Sequence, residues 1–195
     1  MAPISQKIAI LDRDGTICEE IGYIVSGEER LKVLPCAAEA IKWLNDHGWL
    51  VVGASNQSGV ARGYTTEEWV ERVNQGMIDT LKAQGAKIEK VYFCPHHPLE
   101  DCSCRKPKPG MVQQILKDFQ AHPRDCVMVG DKDCDVEMGK ALGLKTVLVL
   151  TGYGEETKRQ LEAEMAAEGE PRLQRAPDYA AKDLLDGARW IVDHS

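Results

Sequence analysis

Short apolar runs alternate with longer amphipathic stretches along most of this chain, and that rhythm leaves few folds open. Lys7–Leu11, Trp49–Ala54, Lys87–Phe93, Cys126–Val129 and Lys145–Leu150 read as strands. They are near-continuous in apolar residues rather than alternating, as strands covered on both faces must be. The stretches between them read as helices. Pro35–His47 sets Ala37, Ala40, Ile41 and Leu44 on one face and stops at Gly48. Thr66–Gln84 opens on an N-cap threonine and ends before Gly85. Pro109–Phe119, Asp135–Leu142 and Glu155–Glu168 follow, then an edge strand near Asp178–Ala180 and a closing helix at Asp183–Val192. The predicted fold class is α/β: a doubly wound, mainly parallel sheet with helices on both faces. At 195 residues, one domain spanning 1–195 is expected. Glu162–Pro171, rich in Ala and Glu, reads as a surface helix that frays.

The net charge of −7 and the pI near 5.3 oppose a general nucleic-acid or anionic-membrane binder. No apolar run approaches the ~20 residues of a membrane span. The first residues lack a basic region followed by an apolar one, so a cytoplasmic protein is expected, and a monomer.

Asp12-Arg13-Asp14-Gly15-Thr16 follows the first strand directly. Residues i and i+2 of an extended chain point the same way, so two carboxylates arrive together at a strand's carboxyl end. Ligands bind there in open α/β sheets. Two neighbouring anions call for a cation, and Mg²⁺ takes oxygen ligands while keeping positions open for a phosphate. The fourth strand ends in Gly130-Asp131-Lys132-Asp133-Cys134-Asp135. If the first and fourth strands are neighbours, Asp131 joins Asp12 and Asp14 around one Mg²⁺. Asp133 and Asp135 are weaker candidates, one of them a helix cap. The second strand ends in Ser55-Asn56-Gln57-Ser58-Gly59, hydroxyls and amides suited to phosphate oxygens. Arg62 could face an anionic substrate. In Arg105-Lys106-Pro107-Lys108-Pro109 two prolines stiffen a loop whose cations suit a transferring phosphoryl group.

Seven cysteines are many for a reducing compartment, and three of them cluster. Cys94-Pro95-His96-His97 and Cys102-Ser103-Cys104 offer three thiolates and an imidazole, a set suited to tetrahedral Zn²⁺ at a closed, structural site. Cys94, His96, Cys102 and Cys104 are the preferred ligands, with His97 an alternative to His96. Such a clamp would order the loop at about 94–104 and fix Arg105 and Lys106 beside it.

Asp12-Arg13-Asp14-Gly15-Thr16, Ser55-Asn56-Gln57, Lys106 and Gly130-Asp131 resemble, in order, the four motifs of the haloacid dehalogenase superfamily of phosphatases. The longer strings Ser55–Gly63, Cys94–Pro98 and Cys102–Pro107 resemble the heptose-bisphosphate phosphatase branch and its near relative, the histidinol-phosphatase domain. The resemblance implies a fold without a large cap domain. It implies Asp12 as nucleophile, Asp14 as general acid and base, and Mg²⁺ on the Asp12 side chain, the Asp14 carbonyl and Asp131. It implies Ser55 and Lys106 against the phosphoryl oxygens, and a short flap at Glu20, Ile21, Gly22 and Tyr23 against the substrate. Asn56, Gln57, Ser58, Arg62, Arg105 and Lys132 complete the implied substrate contacts. The expected substrate is a small sugar bisphosphate, D-glycero-D-manno-heptose 1,7-bisphosphate, losing its 7-phosphate. Histidinol phosphate, or another small sugar phosphate, is the alternative. A zinc-stabilised binding module is the reading from a different class, opposed by the acidic balance and the lack of an aromatic and basic surface.

Overall fold

The computed structural model describes residues 6–27, 31–168 and 176–195. Six parallel strands form one sheet: β1 (Lys7–Leu11), β2 (Trp49–Asn56), β3 (Lys90–Cys94), β4 (Cys126–Gly130), β5 (Lys145–Val149) and β6 (Tyr179–Ala181), in the order β3-β2-β1-β4-β5-β6. Parallel strands need crossovers, and six helices are described: α1 (Ala37–Asp46), α2 (Glu67–Ala83), α3 (Gly110–Asp118), α4 (Asp133–Ala141), α5 (Gly154–Glu168) and α6 (Leu184–Asp193). Alternate residues of a strand face opposite sides. Ala9, Leu11, Val51, Val129 and Val147 accordingly pack with α1, α6 and the carboxyl half of α2. Ile8, Ile10, Val52 and Met128 pack with α3 and α4. Leu148 meets Val136 of α4 and Leu161 of α5.

Local signals set most of the boundaries. Thr66 Oγ1 accepts from Trp69 N at 3.2 Å and opens α2, and Asp183 Oδ1 accepts from Asp186 N at 2.9 Å and opens α6. Two elements differ from expectation. β3 begins at Lys90 rather than Lys87, because Lys87 N donates to the Asn45 side chain at 2.8 Å and the segment joins the sheet only later. α4 begins at Asp133 rather than Asp135, because the Asp135 carboxylate reaches back to accept from Lys132 N at 3.2 Å and caps the helix two residues earlier. Of the stretch expected to fray, 162–168 is helical and 169–171 lie outside the described residues.

β1 lies between β2 and β4, with Leu11 in register with Gly53 and Val129. The order of strands reverses on either side of β1, so a crevice opens beyond its carboxyl end. The residues that follow β1, β2 and β4 meet there. Among the described residues, no helix is long and apolar enough to cross a membrane.

Candidate active site

Asp12, Asp131 and Asp135 bring one carboxylate oxygen each within 4.8 Å of one another, and all three residues are buried. Asp12 leaves the end of β1, where its amide still donates to Val129 O. Asp131 follows β4, and Asp135 lies in the first turn of α4. Glycine is required beside them. A Cβ on Gly15 (φ +82°) would stand 2.1 Å from Asp131 Oδ2, and one on Gly130 2.2 Å from Asp135 Oδ2.

A single lysine faces these anions directly. Lys106 Nζ is 2.8 Å from Asp12 Oδ1 and 2.7 Å from Asp135 Oδ1, and it donates to Ala54 O at 2.8 Å. Burial alone would lower the Lys106 pKa, but Asp12 and Asp135 outweigh it and hold the ammonium charged. One lysine does not balance three carboxylates. Burial, and then the charge on Asp12, push the Asp131 carboxyl up to about 7. Burial likewise raises Asp135, against the pull of Lys106. Asp131 Oδ2 accepts from Tyr153 N at 2.8 Å, whereas its Oδ1 is buried without a hydrogen-bond partner. An all-oxygen, anionic donor set with an orphaned oxygen fits a hard divalent cation.

The Asp14 carboxylate stands apart from this group. Arg13 grips it as a fork, Nε to Oδ1 at 3.1 Å and Nη2 to Oδ2 at 2.7 Å. Gln57 Nε2 donates both to Asp14 Oδ2 and to Ser55 Oγ, each at 2.9 Å. The two aspartates of the first motif therefore have different neighbours: Asp12 faces a lysine and carboxylates, Asp14 an arginine and an amide.

A cleft of about 620 Å³ reaches this cluster at Lys106. Glu20, Gly22, Tyr23, Asn56, Gln57, Ser58, Arg105 and Lys132, all expected from sequence, line it. Ser55 is buried, with its Oγ accepting from Gln57 Nε2. Ile21 packs on the apolar cluster of Ile24, Val70 and Val73. Arg62 sits 5.5 Å above the Tyr23 ring. Asn56 also braces the structure. Its amide donates to Lys106 O and accepts from Lys106 N, both at 3.1 Å, tying β2 to the lysine's loop. Lys132 Nζ pairs with Glu20 Oε2 at 2.7 Å and lies 4.9 Å over the Tyr153 ring. Arg105 Nη1 is buried with no hydrogen-bond partner. A groove of equal volume runs along α2 beside Leu31 and Val33, away from the strand ends, so chemistry rather than size distinguishes the cleft.

Tyr153 and Cys134 belong to this region and were not expected there, and Asp135, only a weaker candidate from sequence, stands in the carboxylate cluster. Asp135 had a sufficient local explanation as a cap. Its position in the first turn of a helix that follows a strand-end aspartate was the available signal. Tyr153 and Cys134 carry no motif.

Beyond β3 a second cluster forms. Cys94 Sγ lies 3.7 Å from Cys102 Sγ and 3.3 Å from Cys104 Sγ, and His96 Nδ1 lies 3.5 and 3.3 Å from Cys94 and Cys104. Tetrahedral Zn²⁺ with Zn–S near 2.3 Å implies S···S edges of about 3.8 Å, so the four residues fit such an ion. All seven cysteines are free thiols. His97 points away, its Nδ1 accepting from Leu99 N at 3.2 Å, so His96 is the imidazole of the cluster.

The chain matches the haloacid dehalogenase-like hydrolases over residues 6–143, and a "HAD-hydrolase-like" family over 103–187. It belongs to the haloacid dehalogenase-like hydrolases. Within that family it is 36% identical to the D-glycero-beta-D-manno-heptose-1,7-bisphosphate 7-phosphatase of Haemophilus ducreyi, covering 96% of this chain and 100% of that one. The enzyme of the same name from Pseudomonas putida is 39% identical over 77% of this chain and 86% of its own. Among solved structures, the D,D-heptose 1,7-bisphosphate phosphatase of B. bronchiseptica, complexed with magnesium and phosphate, superposes with a TM-score of 0.83 at 30% identity, covering 97% and 100%. This haloacid dehalogenase-like protein is thus a hydrolase of the phosphatase type.

Proposed function

We propose that this protein removes the 7-phosphate of D-glycero-D-manno-heptose 1,7-bisphosphate through a phosphoryl-aspartyl intermediate on Asp12. An Asp12 carboxylate oxygen attacks phosphorus and the bond to the sugar oxygen breaks. Asp14 gives that departing oxygen its proton. Asp14 then takes a proton from water as the water attacks the same phosphorus, and the bond to Asp12 breaks to release inorganic phosphate. Lys106 binds a phosphoryl oxygen and is held in place by Asp135 and Ala54 O. Ser55 Oγ accepts from Gln57, which leaves its own proton to donate to phosphate. Mg²⁺, held by the carboxylates of Asp12 and Asp131 and the carbonyl of Asp14, supplies when bound the positive charge that lets an anion approach a phosphate dianion. Zn²⁺ on Cys94, His96, Cys102 and Cys104 holds the loop that ends in Arg105 and Lys106.

The observation that carries the substrate is the placement of cations. Lys106 sits at the triad, and Arg105, whose Nη1 has no hydrogen-bond partner, lines the cleft with it, which suits a substrate with a second phosphate. The names of the relatives support the same choice. An amine-bearing substrate such as histidinol phosphate would need a carboxylate to receive it. Glu20, the carboxylate among the cleft-lining residues, is already bound by Lys132 Nζ and by Gly22 N at 2.8 Å. Phosphate release from both substrates in Mg²⁺ tests this reading. The expected result is preference for the bisphosphate and loss of release in Asp12→Asn. A hundredfold preference for histidinol phosphate would overturn the substrate, and full activity of Asp12→Asn the mechanism.

A further inference from the structure

Arg13 is the bulkiest side chain the protein encloses completely, at 1% exposure, and the mechanism above gives it no role. A guanidinium does not shed its charge, so a buried one must be fully partnered. Two of its three nitrogens grip Asp14. The third, Nη1, donates to Asn74 Oδ1 at 3.0 Å, across 61 residues of chain. Asn74 is itself 4% exposed. It stands on the buried face of α2 with Val70, Val73, Met77 and Leu81, a row where packing alone would place another apolar side chain.

We propose that Asn74 is a positioning residue for the acid/base carboxylate: it fixes the Arg13 fork, and the fork fixes Asp14. This rests on the reading of Asp14 as acid and base. A fork supplied by the adjacent residue cannot set its own plane, because both groups hang from the same stretch of backbone. Asn74 anchors the guanidinium from another element, as Gln57 Nε2 anchors one oxygen of the carboxylate from the end of β2, and the two together set the plane in which Asp14 is held. Orientation matters because Asp14 must meet two oxygens in turn, that of the leaving sugar and that of the incoming water. Asn74 also serves when Asp14 carries a proton. Arg13 then faces a neutral acid, and the Asn74 carbonyl remains to stabilise its charge.

The test uses the Mg²⁺-loaded full chain and two substrates. p-Nitrophenolate leaves without needing a proton, so with p-nitrophenyl phosphate only the second half of the reaction depends on Asp14. Asn74→Leu removes the acceptor and keeps the volume. It should release a burst of about one equivalent of p-nitrophenolate per site at a rate within about twofold of wild type, followed by a steady state slowed about tenfold or more. With the sugar bisphosphate, kcat should fall by a similar factor while KM stays within about twofold. The burst counts active sites, so the rates are independent of how much protein folds. If Asn74→Leu fails to fold, Asn74→Ser is read in the same way. Wild-type rates per active site with both substrates would overturn the proposal. Asp14→Asn separates the two levels: if it is slow after its burst and Asn74→Leu is not, only the role of Asn74 fails. If Asp14→Asn turns over normally, the reading of Asp14 fails.

Discussion

The carboxylate site and the thiolate cluster are opposite solutions to placing a metal-binding group. Asp12 and Asp131 are delivered by β1 and β4, two strands hydrogen-bonded at the centre of the sheet. The fold makes that site, and the site strains the fold: three buried carboxylates share one lysine, and Asp131 is pushed up to about 7. The thiolate cluster closes a loop beyond the edge strand β3, where Cys94 is fully buried and Cys102 and Cys104 are not. There, on the proposed reading, a bound Zn²⁺ would make the local structure. Its product would be the placement of Arg105 and Lys106, which follow Cys104 directly. On the proposed reading one site acts and the other arranges, so damage to each should read out differently.

The largest effect expected is on turnover. Asp12→Asn should lower kcat by at least about 10⁴-fold, about 5 kcal/mol, with the melting temperature unchanged or raised, since one buried like charge disappears. A steep fall in melting temperature in this variant would break the contrast. Lys106→Met should lower kcat by about 10²–10³-fold, as for loss of one preorganised charged donor, and phosphate release under saturating substrate measures it. Cys102→Ser should come next, with Zn²⁺ content lost on metal analysis, the 95–109 loop cut sooner by protease, and kcat reduced by about 10–100-fold. An unchanged zinc content would remove Cys102 from the ligand set. Mg²⁺ should raise the melting temperature of the wild type by up to the equivalent of about 2.7 kcal/mol at a hundred times its dissociation constant, and much less in Asp131→Asn.

The smallest effect lies away from both sites, at the sheet's other edge. The Asp178 carboxylate accepts from Lys140 Nζ at 2.6 Å and from Thr146 N and Oγ1 at 2.7 and 3.0 Å. Partial burial raises its pKa, but these donors outweigh burial and hold it below the usual carboxylate range. A depressed folded value stabilises the protein above the unfolded value, near 4, and that stability is lost as pH falls through the folded one. Asp178→Ala should destabilise by about 1 kcal/mol at pH 7 and approach wild type in acid denaturation as pH falls through the depressed folded value, with kcat unchanged.

The same contrast explains what could be read from sequence. Asp12, Asp14, Ser55 and Asp131 stand in short motifs at strand ends, and a strand end is a local signal; Lys106 stands in the proline-stiffened loop before α3. Whether β1 and β4 were neighbours was not local, and their pairing is what brings Asp131 to Asp12. The thiolates were legible because spacing alone defines such a cluster, and spacing also favoured His96 over His97, whose ring is turned to Leu99 N. Asp135 was hidden by its own cap, a correct local explanation that concealed a second role. The Arg13–Asn74 contact was invisible for the plainest reason: it joins two elements 61 residues apart.

The covalent route on Asp12 is tested most directly by finding the phosphoryl group in transit. Wild-type protein with Mg²⁺ and the sugar bisphosphate is quenched in acid during turnover, digested, and its peptides weighed. The expected result is one phosphoryl group on the peptide that contains Asp12, absent in Asp12→Asn, and accumulating in Asp14→Asn when p-nitrophenyl phosphate, whose leaving group needs no proton, replaces the sugar bisphosphate. Phosphate release at full rate with no phosphorylated peptide in any of the three proteins would mean direct attack by water, and would contradict the covalent route.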